Sequence, residues 1–356
     1  MTAPPSPTTA AALAYTGGTA RLPFDVPAAV TVHEVGPRDG FQLESTLIPV
    51  DDKVAVVDAL SRTGLSRIQV TSFVRPDAVP QLADGAEVMR RISRAEGVGY
   101  DVLVPNLKGA ERALEVGATT WETMLSTTDA HSVANSNRPT REAFDRLRPV
   151  VELAADHPEV TVVGGMATAL ACPFEGYPPL ARILEVATLY AEVGVRHLTV
   201  ADTAGLADPA RVHGVAAALR AELPEMDISL HLHNTRGLGM ANVLAGLAAG
   251  VTTFDSSVGG LGGCPFVPPA TGNIATEELV HLLALLGVET GVDLDALLTV
   301  TREQVAPLVD HPLESTMVRA DPSWRLVAPP TRQHLPSGAP HTPVPSPTPT
   351  PEGASR

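Results

Sequence analysis

The chain has 356 residues, enough for one barrel-sized domain or two ordinary ones. Its net charge is −15, from 40 acidic and 25 basic residues, which argues against a general nucleic-acid or anionic-membrane binder. Two cysteines, Cys172 and Cys264, imply no disulfide framework, and no apolar run is long enough to span a bilayer.

Residues 1–27 are rich in Ala, Pro, Thr and Gly and are expected to form a mobile arm. No basic region precedes an apolar core there, and Arg21 is the only base before Arg38. Neither a secretion signal nor an Arg-rich transit peptide is expected, which makes a cytoplasmic protein the default. From residue 28 to 312, strand-like runs alternate with helix-like runs. The strands are expected at Val30–Val35, Arg67–Thr71, Gly99–Val104, Thr119–Ser126, Val160–Met166, His197–Ala201, Asp227–His233 and Thr252–Ser256. The helices are expected at Val50–Arg62, Leu82–Ser93, Leu107–Val116, Arg141–Ala155, Pro179–Val193, Pro209–Leu223, Leu238–Ala249 and Glu277–Leu286. Gly64, Gly117, Gly194 and Gly250 stand where left-handed helix caps belong. Eight such repeats match a (β/α)₈ TIM barrel. A doubly wound open sheet fits less well, because no glycine-rich dinucleotide loop follows the first strand. A further helix, about Leu294–Leu308, would pack outside the barrel. Residues 313–356 form the third segment, proline-rich from about Ala328 and expected to be disordered or extended.

In such a barrel the active site lies at the C-terminal ends of the strands. Strand one ends in Glu34-Val-Gly-Pro-Arg-Asp-Gly-Phe-Gln42, where a Gly/Pro-bracketed turn can aim the Asp39 carboxylate into the mouth. Strand two carries Gln69, and strand four leads to Ser126, Thr127 and Asp129. Strand six ends in Ala201-Asp-Thr-Ala-Gly205 and strand eight in Asp255-Ser-Ser257. On strand seven His231 and His233 are two residues apart, so both imidazoles face one side, a common way to hold a divalent metal. The loop Gly259-Gly-Leu-Gly-Gly-Cys-Pro265 carries one thiol, Cys264, a candidate acid or base delivered by loop closure. Cys172 reads as a small buried residue.

These runs resemble the 3-hydroxy-3-methylglutaryl-CoA lyase family, within a wider group of metal-dependent barrel lyases and Claisen-type synthases. The matching stretches are Glu-Val-Gly-Pro-Arg-Asp-Gly at 34–40, Thr-Ser-Phe-Val at 71–74, Val-Pro-Gln at 79–81 and Cys-Pro-Phe-Glu-Gly at 172–176. They continue with Asp-Thr at 202–203, His-Leu-His at 231–233, Gly-Leu-Gly-Gly-Cys-Pro at 260–265 and Gly-Asn-Ile-Ala-Thr-Glu at 272–277. The resemblance implies that Asp39, His231, His233 and Asn273 bind the metal. It gives Arg38 the enolate oxygen, Cys264 the mobile-loop acid/base role, and Asp202 and His231 parts in proton handling. Arg38, Gln42, Gln69 and Thr203 would bind substrate. A carboxylate, two imidazoles and an amide suit Mg²⁺ or Mn²⁺, ahead of Zn²⁺. The implied partner is a small acyl-CoA, with no nucleic acid and no membrane, and the implied assembly is a homodimer.

Two departures stand out. The family usually has a glutamate on strand two where this chain has Gln69. Its typical lyase follows the histidine pair with Asp-Thr-Tyr-Gly, where this chain has Asn234-Thr235-Arg236-Gly237. The leading expectation is a lyase for 3-hydroxy-3-methylglutaryl-CoA. A citramalyl-CoA-like substrate comes next. A condensing synthase and a catalytically silent metabolite-binding barrel follow.

Overall fold

The computed structural model describes residues 22–263 and 272–320. Eight strands close a parallel barrel in chain order: β1 Thr31–Glu34, β2 Arg67–Ser72, β3 Gly99–Leu103, β4 Thr120–Ser126, β5 Thr161–Ala167, β6 His197–Asp202, β7 Asp227–Leu232 and β8 Thr253–Ser256. The ring shuts where β8 pairs with β1, from Thr31 opposite Thr253 to Glu34 opposite Ser256. The expected (β/α)₈ barrel is therefore the fold.

Helices α1 Val50–Leu60, α2 Gly85–Arg91, α3 Leu107–Glu115, α4 Asp129–Ser136, α5 Thr140–Ala155 and α6 Leu180–Glu192 are followed by α7 Pro209–Glu222, α8 Gly239–Ala248, α9 Thr276–Leu285, α10 Leu294–Val300 and α11 Thr316–Arg319. Local chemistry sets their ends. Asp208 caps α7 by accepting from the Arg211 N–H at 3.0 Å, just ahead of Pro209, whose missing N–H costs nothing at a first turn. Gly64, Gly117, Gly194 and Gly250 adopt φ of 88°, 65°, 91° and 82°, the left-handed values that let each helix turn back into a strand. Helix α4 was not among the expected elements. Its Ser- and Asn-containing sequence reads as loop, yet Asn137 closes it in the left-handed region at φ 57°.

Two boundaries shift outward. Phe24 and Val26 pack against the core, so the expected arm of 1–27 ends sooner. Leu313 and Met317 are buried, and Glu278 accepts from the Thr316 N–H and hydroxyl, so packed chain continues past residue 312. The proline-rich stretch and residues 1–21 lie outside the described residues. No helix among the described residues is long and apolar enough to cross a membrane.

Aliphatic side chains fill the layer between strands and helices, but the barrel interior is charged. His33 Nδ1 lies 2.9 Å from Asp255 Oδ1, and its Nε2 lies 3.2 Å from Asp101 Oδ2, which also takes Arg67. Burial and Arg67 oppose a charge on His33, but Asp255 and Asp101 outweigh them and raise its pKa to about 9.

Glu34 ties the seam together. Its Oε1 accepts from the Gly36 N–H at 2.7 Å and the Val258 N–H at 2.9 Å, and its Oε2 accepts from the Thr276 hydroxyl at 2.6 Å. Burial pushes its carboxyl up to about 7 in spite of these donors. The folded chain thus holds this proton more tightly than the unfolded chain does. Stability falls as pH rises from about 4.5 through 7, by roughly 3 kcal/mol from this group alone. Glu34→Gln keeps the acceptor and removes the proton. Urea melts of parent and variant at pH 5 and pH 8 should converge at the first pH and favour the variant at the second; an equal difference at both would refute the assignment.

Candidate active site

Strand β1 runs into a single wide turn, Gly36–Gly40, in which the N–H groups of Arg38, Asp39 and Gly40 all point to the Val35 carbonyl. Pro37 sits where no N–H is needed. The turn carries Arg38 and Asp39 to the mouth of the barrel. Arg38 Nη1 donates to Asp39 Oδ1, and Arg38 Nε donates to Gln69 Oε1. Burial opposes ionisation of Asp39, but Arg38, the two imidazoles and the Asn273 amide hold its carboxyl down at about 2.

His231 and His233 do face one side, with their Nε2 atoms 3.1 Å apart. One ligand atom from each, and one from Asp39, lie within 4.8 Å of one another. Behind His231, Asp255 Oδ2 stands 3.1 Å from Nδ1, which turns Nε2 toward the site. Burial works against a charge on His231, but Asp255 and Asp39 outweigh it and raise its proton affinity. Asn273 completes the group. Its Nδ2 donates to Asp39 Oδ2 at 2.7 Å and to the Leu261 carbonyl at 3.1 Å, while its buried Oδ1 has no hydrogen-bond partner among the described residues. A buried acceptor left unpaired is costly unless something else binds it. With one carboxylate, two imidazoles and this amide oxygen, the set fits a divalent cation. Gly262 protects the arrangement: at φ 111°, an added Cβ would come within 2.6 Å of Asn273 Nδ2.

The group opens on a cavity of about 480 Å³, whose lining includes Arg38, Asp39, Gln42, Thr203, His231 and His233. The expected residues divide as follows. Gln42 and Thr203 reach the cavity, and the Thr203 hydroxyl accepts from the Thr168 N–H at 2.8 Å. That bond supports a β-branched residue in the left-handed region, at φ 56°, which sequence reading did not anticipate. Gln69 touches Arg38 from beneath. Asp202 is fully buried, and its oxygens accept from the Leu206 and Ala207 N–H groups at 2.9 and 3.0 Å. Burial nonetheless pushes its carboxyl up to about 6. Asp129 turns outward to cap α5 and pair with Arg182 at 2.9 Å. Asn234 also turns away, accepting from the Gly239 N–H at 3.0 Å at the start of α8, and Arg236 is exposed. Cys264 lies outside the described residues. Cys172 is buried, as expected, beside Thr128. Glu122 was missed: it lines the cavity and accepts from Gln69 Nε2.

His231 has only one nitrogen facing this cavity, because Nδ1 is held by Asp255. It cannot serve as ligand and as base through that nitrogen at the same time.

The HMGL-like family model matches residues 29–303. The chain belongs to this family. Hydroxymethylglutaryl-CoA lyase YngG of Bacillus subtilis strain 168 is 41% identical over 276 residues, covering 78% of this chain and 92% of that protein. The mitochondrial hydroxymethylglutaryl-CoA lyase of Mus musculus is 40% identical, with 77% and 84% covered. A solved HMG-CoA lyase from Acinetobacter baumannii, in complex with coenzyme A and 3-methylmalate, superposes with a TM-score of 0.80 at 39% identity, over 85% of this chain and 98% of that one. The HMGL-like match begins just before β1 and ends just after α10, so it takes in every element that supports the site.

Proposed function

We propose that this chain is a divalent-metal-dependent carbon–carbon lyase that cleaves a 3-hydroxy-3-methylglutaryl-CoA-type thioester to acetoacetate and acetyl-CoA. The observation that carries this is the convergence of Asp39, His231, His233 and Asn273, whose Oδ1 has no partner among the described residues, beside Arg38, in a chain about 40% identical to relatives named for that reaction. Mg²⁺ or Mn²⁺ suits the mixed oxygen and imidazole set, ahead of Zn²⁺. When bound, the cation supplies Lewis acidity that makes a chelated tertiary hydroxyl easier to deprotonate.

The protein does the rest. His231 is assigned as ligand, with Asp255 fixing its ring. A part for Asp202 in handling the hydroxyl proton rests on the resemblance at Asp202-Thr203; burial raises its carboxyl to about 6, and it is not among the residues that line the cavity. As the C–C bond breaks, its electron pair moves into the thioester enolate, whose oxygen needs a fixed cation. Arg38, gripped at Nε and Nη1, meets that need. Gln42 and Thr203 line the space for the acyl group. Cys264 would return a proton to the enolate carbon, a role that rests on the loop resemblance. Cys264→Ser should lower cleavage by about 100-fold while leaving Mn²⁺ affinity unchanged, and Cys172→Ser should be mild. Full cleavage by Cys264→Ser would remove the thiol from the mechanism.

The experiment for the whole reading is a thioester panel with Mg²⁺ and with Mn²⁺, followed by mass spectrometry of the released ketone and acetyl-CoA. Acetoacetate from 3-hydroxy-3-methylglutaryl-CoA supports it. Cleavage of a citramalyl-CoA-like thioester instead would move the substrate. Condensation without cleavage would overturn the lyase. The proposal includes a cytoplasmic enzyme and a homodimer, the latter read by light scattering on the purified chain.

A further inference from the structure

Glu122 sits in the middle of β4, is 1% exposed, and lines the cavity. It touches none of the four metal-site residues by any hydrogen bond; its Oε2 accepts from Gln69 Nε2. Gln69 is fully buried, and its Oε1 accepts from Arg38 Nε. Arg38 in turn donates through Nη1 to Asp39. The four side chains form one line from β4, through β2, to the turn after β1. An amide in that line has only one workable orientation. A carboxylate can only accept and a guanidinium can only donate, so the Gln69 amide must present N–H to Glu122 and oxygen to Arg38. Each end demands the same orientation, and together they hold it from both sides. Burial and the nearby Asp255 push the Glu122 carboxyl up, and Arg38, His33 and Arg67 are the cations that act against this.

We propose that Glu122 is a positioning residue for Arg38, acting through the oriented amide of Gln69. This rests on the reading of Arg38 as the donor to the enolate oxygen. The relay holds the guanidinium by Nε, Asp39 holds it by Nη1, and Nη2 makes no hydrogen bond among the described residues. The guanidinium plane is thereby set before substrate arrives, with one edge left for the oxygen where charge develops. A negative charge on β4 also offsets the guanidinium at a distance, without placing a second carboxylate against Asp39.

Glu122→Gln keeps the shape and an acceptor but removes the charge. It should lower kcat by about 10- to 100-fold, by analogy with partners that orient metal ligands, with KM close to parent. Moving the carboxylate, as Gln69→Glu combined with Glu122→Gln, puts it directly on Arg38 and should restore most of the lost kcat. Melting temperature and Mn²⁺ affinity by calorimetry are measured on the parent and both variants. A merely structural Glu122, balancing Arg67 and His33, would lower stability in both variants and give no rescue. Parent-like kcat in Glu122→Gln overturns the proposal, as does a lost kcat that the folded, metal-binding double variant fails to recover. If the single variant does not fold, the double variant decides alone: poor kcat in a folded double variant overturns the role. A parent that cleaves no thioester overturns the lyase reading and takes this role with it, whereas an active parent with an indifferent Glu122→Gln overturns this role only.

Discussion

His233→Ala is expected to lose Mn²⁺ affinity and cleavage together, with its circular dichroism unchanged. The residue follows the end of β7, bridges to Asn273, and sends Nε2 to within 3.1 Å of His231 Nε2. Alanine leaves the backbone bridge and takes away one donor of the four. Loss of a group that only orients a ligand costs about 10- to 100-fold, so loss of a ligand should exceed roughly 100-fold in both affinity and turnover. Titration calorimetry with Mn²⁺ and the thioester assay read the two quantities separately. Parent-like Mn²⁺ affinity would show that the cation binds elsewhere. Retained affinity with lost turnover would instead move His233 from ligand to catalytic group.

Arg38→Lys carries the second large effect. Lysine keeps the charge, but its single ammonium replaces a planar fork that bonds Gln69 through Nε and Asp39 through Nη1. It cannot keep both partners and still face the enolate oxygen. A fixed donor to a developing oxyanion is worth about 3–4 kcal/mol, so kcat should fall by about 10² to 10³ while KM changes little. Near-normal kcat with a raised KM would place Arg38 in ground-state binding. The reading of the panel depends on this distinction, because the same guanidinium could hold a substrate carboxylate.

The barrel was legible because its strands and helices differ in period, and because glycines at 64, 117, 194 and 250 mark where one gives way to the other. The convergence of Asp39, His231 and His233 was legible because they fall at strand ends, where polar residues interrupt apolar runs. Glu122, His33 and Asp101 were not legible for the opposite reason. Each stands inside a strand, where alternation assigns polar positions to a solvated face. In a closed barrel that face points inward, so Glu122, between outward-facing Trp121 and Thr123, lies on the cavity wall. The role of Asp255 was hidden in the same way: it appeared as the polar end of β8, whereas its value comes from two imidazoles, His33 and His231, contributed by other strands. Asp129 shows the converse. It stands at a strand end with the right chemistry, and the sequence carries no sign that Arg182 draws it outward.

The hydrogen bond between Asn273 and Asp39 joins residues 234 positions apart. On a ribosome adding about 5–20 residues per second, Asp39 is made roughly 10 to 50 seconds before its partner exists. For that interval the nascent chain has Arg38 and Asp39 but no histidine pair, and later the histidine pair but no closing asparagine. The proposed cation site can therefore be completed only late in synthesis, once Asn273 has been added and β8 reaches β1. A chain truncated before Asn273 would carry all eight strands and three of the four proposed ligands, without the residue that closes the set.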